Sequence, residues 1–136
     1  MGERRGVKEY LLDTNSVLRY FLKDHPTQAK IILEYLLKAK KGEIHITLPL
    51  VVFVEVVYSL SKPYELKKDL VVQYLFTFLN IPYIEIEKRS IIMAALILFR
   101  DHALSITDCI IAATAHMTGK ELLTFDRRLK RIKIPS

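Results

Sequence analysis

The sequence predicts an α/β protein: a three-layer α/β/α sandwich with a parallel sheet of four to five strands. Short apolar segments alternate with longer amphipathic ones along the whole chain, which is the pattern of strands connected by helices. The 136 residues contain no linker, repeat or low-complexity stretch. A chain of this length suits one compact domain, so we expect a single domain over residues 1–136.

The first half of the chain predicts two strands, each leading directly into a helix. Tyr10–Leu12 is predicted to be a buried strand, followed at once by a helix over residues 17–22. After the break at 23–26, Pro26 suits the first turn of a second helix, and Gly42 suits its end. Ile44–Leu48 is the second predicted strand. Leu50–Leu60 is apolar almost throughout and allows strand or helix, but its length favours helix.

The second half repeats the alternation. A helix over Leu66–Phe78 precedes a third strand at Ile81–Ile86. A helix over Ser90–Arg100 is apolar on nearly every side, so we expect it to be buried against the sheet or a second protomer. The remaining predicted elements are a helix from Ser105 to Gly119, a fourth strand at Leu122–Phe125 and a fifth, edge strand at Ile132–Ile134.

The composition narrows the class of protein. The net charge is +6, from 21 basic and 15 acidic residues, which favours nucleic acid as a partner but equally fits a lysine-rich surface that only confers solubility. The single cysteine, Cys109, excludes an internal disulfide and fits a reducing compartment. The N-terminus has no signal-peptide pattern, and the apolar run Ile91–Phe99 is far below the ~18 residues of a membrane span. We therefore expect a soluble, cytoplasmic protein without membrane contact.

Four carboxylates lie at positions that make them candidates for a functional site. Asp13 and Asp126 each follow an apolar strand, Asp108 lies in the first turn of an alanine-rich helix, and Glu55 lies inside the most apolar run. The three aspartates also have simple structural explanations. Asp13 could cap its helix, Asp108 could form a capping box with Ser105, and Asp126 could begin a turn.

Glu55 is the hardest of the four to explain structurally. An ionised carboxylate in apolar surroundings is costly unless a cation or several donors meet it. The nearest basic residue after it is Lys62, about two helical turns away. We therefore expect another group to neutralise Glu55.

A doubly wound sheet would bring these acids to one edge, because ligand sites form beyond the carboxyl ends of parallel strands. Four close carboxylates repel one another, and a divalent cation removes that conflict. All-oxygen ligands suit Mg²⁺ or Mn²⁺, while the four histidines and one cysteine show no zinc spacing. A metal-holding acidic pocket on a basic protein indicates phosphodiester hydrolysis.

These motifs resemble those of the PIN domain, the nuclease fold of VapC-type toxins in toxin–antitoxin pairs. Leu11-Leu12-Asp13-Thr14-Asn15 resembles the family's opening strand motif, and Val54-Glu55-Val56 its helical glutamate. The segment from Ile106 to Ala115, which contains Asp108, resembles the helix of the third acid. Leu123-Thr124-Phe125-Asp126 resembles the closing Thr-x-Asp motif. The four motifs occur in the family's order over almost the whole chain.

The resemblance implies an endoribonuclease dependent on Mg²⁺ or Mn²⁺, usually a homodimer and often inhibited by a cognate antitoxin. Its metal-binding and catalytic acids would be Asp13, Glu55, Asp108 and Asp126. Asn15 and Thr124 match polar positions that orient those acids. We expect water to attack the RNA phosphorus in line, with one acid as general base, leaving a 5′-phosphate and a 3′-hydroxyl. The basic run could hold RNA phosphates or simply be a solvated face; its members are Arg127, Arg128, Lys130 and Arg131.

Two other hypotheses remain open from the sequence. The chain could be a PIN scaffold that binds RNA or a protein without cutting. It could also be a phosphotransfer domain of the haloacid-dehalogenase or receiver type, since both place an aspartate after the first strand. The former requires a second aspartate where Asn15 stands, and the latter a phosphoacceptor after the third strand, where residues 82–87 give no convincing match.

Overall fold

In a computed structural model, the chain forms two compact units, Met1–Glu87 and Lys88–Ser136. The structure describes residues 6–22, 24–132 and 134. The α/β class with a parallel sheet is confirmed. Whether the two units act as the single domain expected from the chain length stays a prediction.

The first unit contains every described strand and four helices. Its elements, in chain order, are β1 (Lys8–Leu11), α1 (Thr14–Leu22), α2 (Pro26–Lys40), β2 (Ile44–Leu48), α3 (Leu50–Ser61), α4 (Lys68–Leu79) and β3 (Glu85–Ile86). The ambiguous run at 50–60 is a helix, as its length predicts. The third strand is shorter than the six residues expected from the sequence, with only Glu85 and Ile86 paired.

The three strands form a parallel sheet in the order β1-β2-β3. Tyr10 lies opposite Ile46, and Leu48 lies opposite Ile86. Beyond the strands, the N–H of Leu12 donates to the Thr47 carbonyl and that of Glu87 to the Leu48 carbonyl, both at 3.0 Å. The carboxyl ends of all three strands are therefore aligned, and Asp13 follows directly from this edge.

The core of the first unit is built from one face of each helix and the central strand. Helix α1 packs against α2 and α3, α2 packs against β2, and α3 packs against α4. The most buried large side chains of this unit are Ile46, Leu48, Phe53, Leu60, Leu75, Phe78, Leu79 and Ile84. The position of α3, which follows β2 directly, is therefore fixed by packing on α1 and α4.

The N-terminus of helix α3 is capped by a residue that follows β3. Its N-cap is Pro49, which makes no side-chain cap hydrogen bond. The first helical N–H, that of Leu50, instead donates to Oε1 of Glu87 at 2.7 Å. A carboxylate at a helix N-terminus satisfies a free donor and interacts favourably with the helix dipole. The residue after β3 therefore anchors the start of α3.

The second unit is helical. It contains α5 (Arg89–Asp101), α6 (Ile106–Thr118) and the short α7 (Arg127–Arg131). Helix α5 packs against α6, where Ala112 and Ala113 are buried and allow close approach. Gly119 ends α6 in a left-handed conformation, with φ +68°, as its position in the sequence predicts. Helix α7, in the basic run, was not predicted.

The prediction of four to five strands is wrong for the described residues. Leu122–Phe125 lies in irregular structure between α6 and α7, and Leu123 and Phe125 are each 98% exposed. The hydroxyl of Thr124 accepts a hydrogen bond from the Asp126 N–H at 3.0 Å. Such local bonds compete with a strand ladder. Ile132 and Ile134 are not in a strand, and the predicted fifth strand also includes Lys133, which lies outside the described residues.

The first strand is also less buried than predicted. Only Tyr10 of β1 is partly shielded, and Leu11 is 75% exposed. The reason is that β1 is an edge strand of the described sheet, with β2 as its sole pairing partner there. Over the residues that the structure covers, no helix combines the length and apolar character needed to cross a membrane.

Candidate functional site

Asp13 joins the sheet edge to the first helix. Its Oδ1 accepts two hydrogen bonds from Ser16, one from the backbone N–H and one from the hydroxyl, both at 2.8 Å. These donors favour the charged carboxylate and hold the pKa of Asp13 below its usual value, the backbone N–H contributing most. Asp13 is therefore both the cap of α1, as the simple explanation predicts, and an ionised group at neutral pH.

Glu55 is held close to Asp13 by the intervening residue Thr14. The Thr14 hydroxyl donates to Oε1 of Glu55 at 2.8 Å, across 41 positions of the sequence. Since Thr14 directly follows Asp13, this hydrogen bond ties the helical glutamate to the end of the first strand. Among the described residues, neither acid forms an ion pair with a lysine or arginine.

Glu55 is exposed, which corrects the expectation that its apolar neighbours bury it. Residues adjacent in sequence point in different directions around a helix, whereas those three or four apart share a face. Glu55 shares its face with Val51 and Tyr58, which are 66% and 45% exposed. Val56 and Val57 are buried on the opposite side. Burial therefore does not force a neutralising partner on Glu55.

The two acids of the first unit have the right chemistry for a hard cation. Both are oxygen donors, Asp13 is ionised without cost at neutral pH, and each has a second carboxylate oxygen that no described hydrogen bond uses. Mg²⁺ is commonly held by one or two carboxylates and completes its shell with water. Among the described residues of each unit, no group of three or more His, Cys, Asp or Glu side chains is arranged to bind a metal ion. The convergence of all four acids stays a prediction.

Asp108 lies in the first turn of α6, as predicted. Its backbone N–H donates to the Ser105 hydroxyl at 3.1 Å, which forms one half of the expected capping box. The reciprocal bond, from the Ser105 N–H to the Asp108 carboxylate, is absent from the described hydrogen bonds. The half-buried Asp108 carboxylate thus has no hydrogen-bond partner in the described part of the chain.

Asp126 caps α7. Its Oδ1 accepts from the backbone N–H groups of Arg128 and Leu129, at 2.8 and 3.4 Å. The Arg128 side chain lies 3.8 Å from the same oxygen and donates to the Ala103 carbonyl at 2.9 Å. Arg128 therefore has a structural role that its place in a basic run did not indicate. The other members of the run, Arg127, Lys130 and Arg131, are exposed.

The residues expected to orient the acids differ from those that contact them. Thr124 contacts the Asp126 backbone, and no described hydrogen bond joins Asn15 to an acid. Sequence reasoning missed the contacts of Thr14 and Ser16. A serine three positions after a capping aspartate could have been identified as a donor to it, because the cap accepts from that residue's N–H. The Thr14 contact depends on tertiary packing.

Comparison with known proteins identifies the family. The PIN domain model matches residues 10–135, so the chain belongs to the PIN domain family. The chain is 29% identical over 124 residues to a protein named VapC ribonuclease from Aquifex aeolicus (strain VF5), an alignment that covers 90% of each chain. No solved structure matches.

Proposed function

We propose that this protein is a divalent-metal-dependent endoribonuclease that acts as the toxin of a toxin–antitoxin pair. The observation that carries the proposal is the hydrogen bond from Thr14 to Glu55, which brings together two acids that the PIN resemblance assigns to the metal site. Family membership and the similarity to a VapC ribonuclease support the same chemistry.

Asp13, Glu55, Asp108 and Asp126 would hold Mg²⁺ or Mn²⁺ in this proposal. A bound dication supplies charge neutralisation at the phosphate and a water of lowered pKa. The two donors of Ser16 favour the ionised form of Asp13 and hold its carboxylate in place, and Thr14 sets the orientation of Glu55. An acid with a free oxygen would accept the proton of the attacking water. In-line attack would leave a 5′-phosphate and a 3′-hydroxyl.

The substrate and partners follow from the charge and the family. The net charge of +6 favours a polyanionic substrate, and exposed Arg127, Lys130 and Arg131 are available to RNA phosphates. We further propose a homodimer in the cytoplasm that is inhibited by a cognate antitoxin protein.

A cleavage assay with defined RNA tests the proposal. We expect the wild-type protein to cut end-labelled RNA with Mg²⁺ or Mn²⁺ and not with a chelator. Asp13→Asn and Asp108→Asn should each reduce the rate by more than the ~10–100-fold typical of losing a residue that supports a metal ligand. Asp69→Asn makes the same chemical change at an exposed site in the first turn of α4 and should leave the rate unchanged.

Digestion of the products by an exonuclease that requires a 5′-phosphate would establish which oxygen leaves. Cleavage that persists in the chelator, or in Asp13→Asn, would contradict the proposal. RNA binding without cutting, equal in wild type and Asp108→Asn, would support the non-cleaving binding module instead.

A further inference from the structure

A cavity in the first unit is lined in part by Asp13. It has a volume of about 220 Å³ and lies between the start of α1 and the first half of α2. This is smaller than the ~300 Å³ typical of pockets for drug-sized ligands. The space therefore suits one base and not a whole nucleotide. The residues that line it include Asp13, Asn15, Arg19, Gln28, Ile31 and Ile32.

The cavity contains a buried arginine with an unused donor. Arg19 is 7% exposed; its NH1 donates to Asp24 at 2.9 Å and its NH2 to the Tyr64 hydroxyl at 3.3 Å. The Nε of Arg19 is buried and has no hydrogen-bond partner among the described residues. A buried donor without an acceptor is costly and rare in folded proteins. Because Nε has almost no surface that a ligand could reach, Arg19 forms a fixed, buried part of the cavity wall.

The charge of the lining argues against a phosphate as that ligand. The Arg19 guanidinium is paired with Asp24, and Asp13 adds a negative charge to the wall. A further anion would meet net repulsion. The remaining polar lining consists of Ser16, whose hydroxyl and N–H both donate to Asp13, and the side-chain amides of Asn15 and Gln28, which no described hydrogen bond uses. Ile31 and Ile32 add apolar surface. An apolar wall with amide donors and acceptors is a lining that fits a neutral heterocycle.

We propose that this cavity binds one unstacked RNA base next to the scissile phosphate, and that it gives the nuclease a base preference. The inference rests on the proposed function, because it takes Asp13 as part of the catalytic site. Gln28 and Asn15 read the polar edge of the base, and Ile31 and Ile32 contact its face. Arg19 and Asp24 also hold the cavity's shape by joining α1 to the turn before α2.

Binding of free nucleosides tests the cavity without requiring cleavage. We would titrate the full chain with adenosine, guanosine, cytidine, uridine and inorganic phosphate, and follow the NMR signals of the Gln28 side-chain amide and the Arg19 Nε–H. We expect at least one nucleoside to shift both signals, and phosphate to shift neither. Shifts caused by inorganic phosphate alone, or by no nucleoside, would overturn the proposal.

Base preference provides a second, independent measurement. A set of RNAs with each base at the positions flanking the cut would be cleaved by wild type, Gln28→Ala and the matched control Gln73→Ala, which changes an exposed glutamine on α4. We expect Gln28→Ala to weaken the preference at one flanking position by roughly tenfold, and Gln73→Ala to retain it. An identical preference in all three proteins would overturn the subsite.

The two proposals fail in different ways. If wild type cuts no RNA but a nucleoside shifts the Arg19 and Gln28 signals, the nuclease function fails and the base site stands. If RNA is cut but neither measurement detects the base, the subsite fails and the nuclease stands. A cavity that responds only to a co-purified protein partner, with every nucleoside silent, also overturns the base site.

Discussion

Asp13 and Asp126 are both aspartates that cap a helix, yet their surroundings differ. Each caps the helix that follows it and accepts backbone N–H donors at Oδ1. Asp13 follows a strand paired in the sheet, and the donors from Ser16 lower its pKa. Asp126 follows a segment whose Leu123 and Phe125 are almost fully exposed, and an arginine lies near its carboxylate.

This difference shows that a capping motif fixes an acid only to its own helix. What fixes the acid to the rest of the protein is the segment before it. For Asp13 that segment is hydrogen bonded to β2, and for Asp126 it has no strand partner among the described residues. Three pairs of substitutions can break or sharpen this comparison.

The largest expected effect is the difference in the free energy of unfolding between a substitution in the packed helix α3 and one in the exposed segment before Asp126. Phe53 is fully buried in α3, so Phe53→Ala should lower the free energy of unfolding by about 3–5 kcal/mol. Phe125→Ser should change it by less than about 0.5 kcal/mol, because the ring is 98% exposed. Urea denaturation followed by circular dichroism measures both. A loss above 2 kcal/mol for Phe125→Ser, estimated on the same scale, would mean that the ring is covered in solution.

The next effect compares the two threonines that accompany the acids. Thr14→Val removes the donor to Glu55 and should reduce RNA cleavage by roughly 10–100-fold. Thr124→Val removes only an acceptor for the Asp126 backbone N–H and should have a smaller effect. Rates measured at several metal concentrations would test whether added metal partly restores Thr14→Val. Equal losses in both variants would contradict the different roles of the two threonines.

The smallest effect concerns the pKa of Asp13. Ser16→Ala removes the hydroxyl donor but keeps the backbone N–H, so the pKa of Asp13 should rise part of the way towards its usual value of 3.8. The stability lost in the variant should be present above pH 3.8 and should vanish as pH falls through the lowered native pKa. A carbon-detected NMR titration of the Asp13 carboxyl, with Ser90→Ala as an exposed control, measures the shift. An unchanged pKa would show that the backbone donor acts alone.

The sequence predicted the helices better than the strands because the two depend on different information. Apolar periodicity and local caps such as Pro26, Ser105 and Gly119 define a helix within its own segment. A strand needs a partner elsewhere in the chain, so the β-forming residues of Leu122–Phe125 did not suffice to make one. The missed helix α7 has the opposite cause, since its basic residues gave no apolar periodicity, although Asp126 caps it.

The site was predictable in its residue types and less so in its contacts. The position of Asp13 after the first strand follows from local patterns. The burial predicted for Glu55 is wrong because an almost continuous apolar run does not show which face of the helix is exposed to solvent. The contact of Glu55 with Thr14 joins α3 to α1 across 41 positions, and the hydrogen bond from Arg19 to Tyr64 joins residues 45 positions apart. The spacing of residues along the sequence predicts neither of these two contacts.

The hydrogen bond from Leu50 to Glu87 has a mechanical consequence for Glu55. Glu55 lies five residues beyond this anchor, or about 7.5 Å along the helix axis, so a tilt of α3 at its first turn would swing the glutamate away from Thr14. Glu87, the residue after β3, thus restrains the first turn of the helix that carries Glu55. The substitution Glu87→Gln would then change the orientation of Glu55 relative to Thr14, although Glu87 does not contact Glu55.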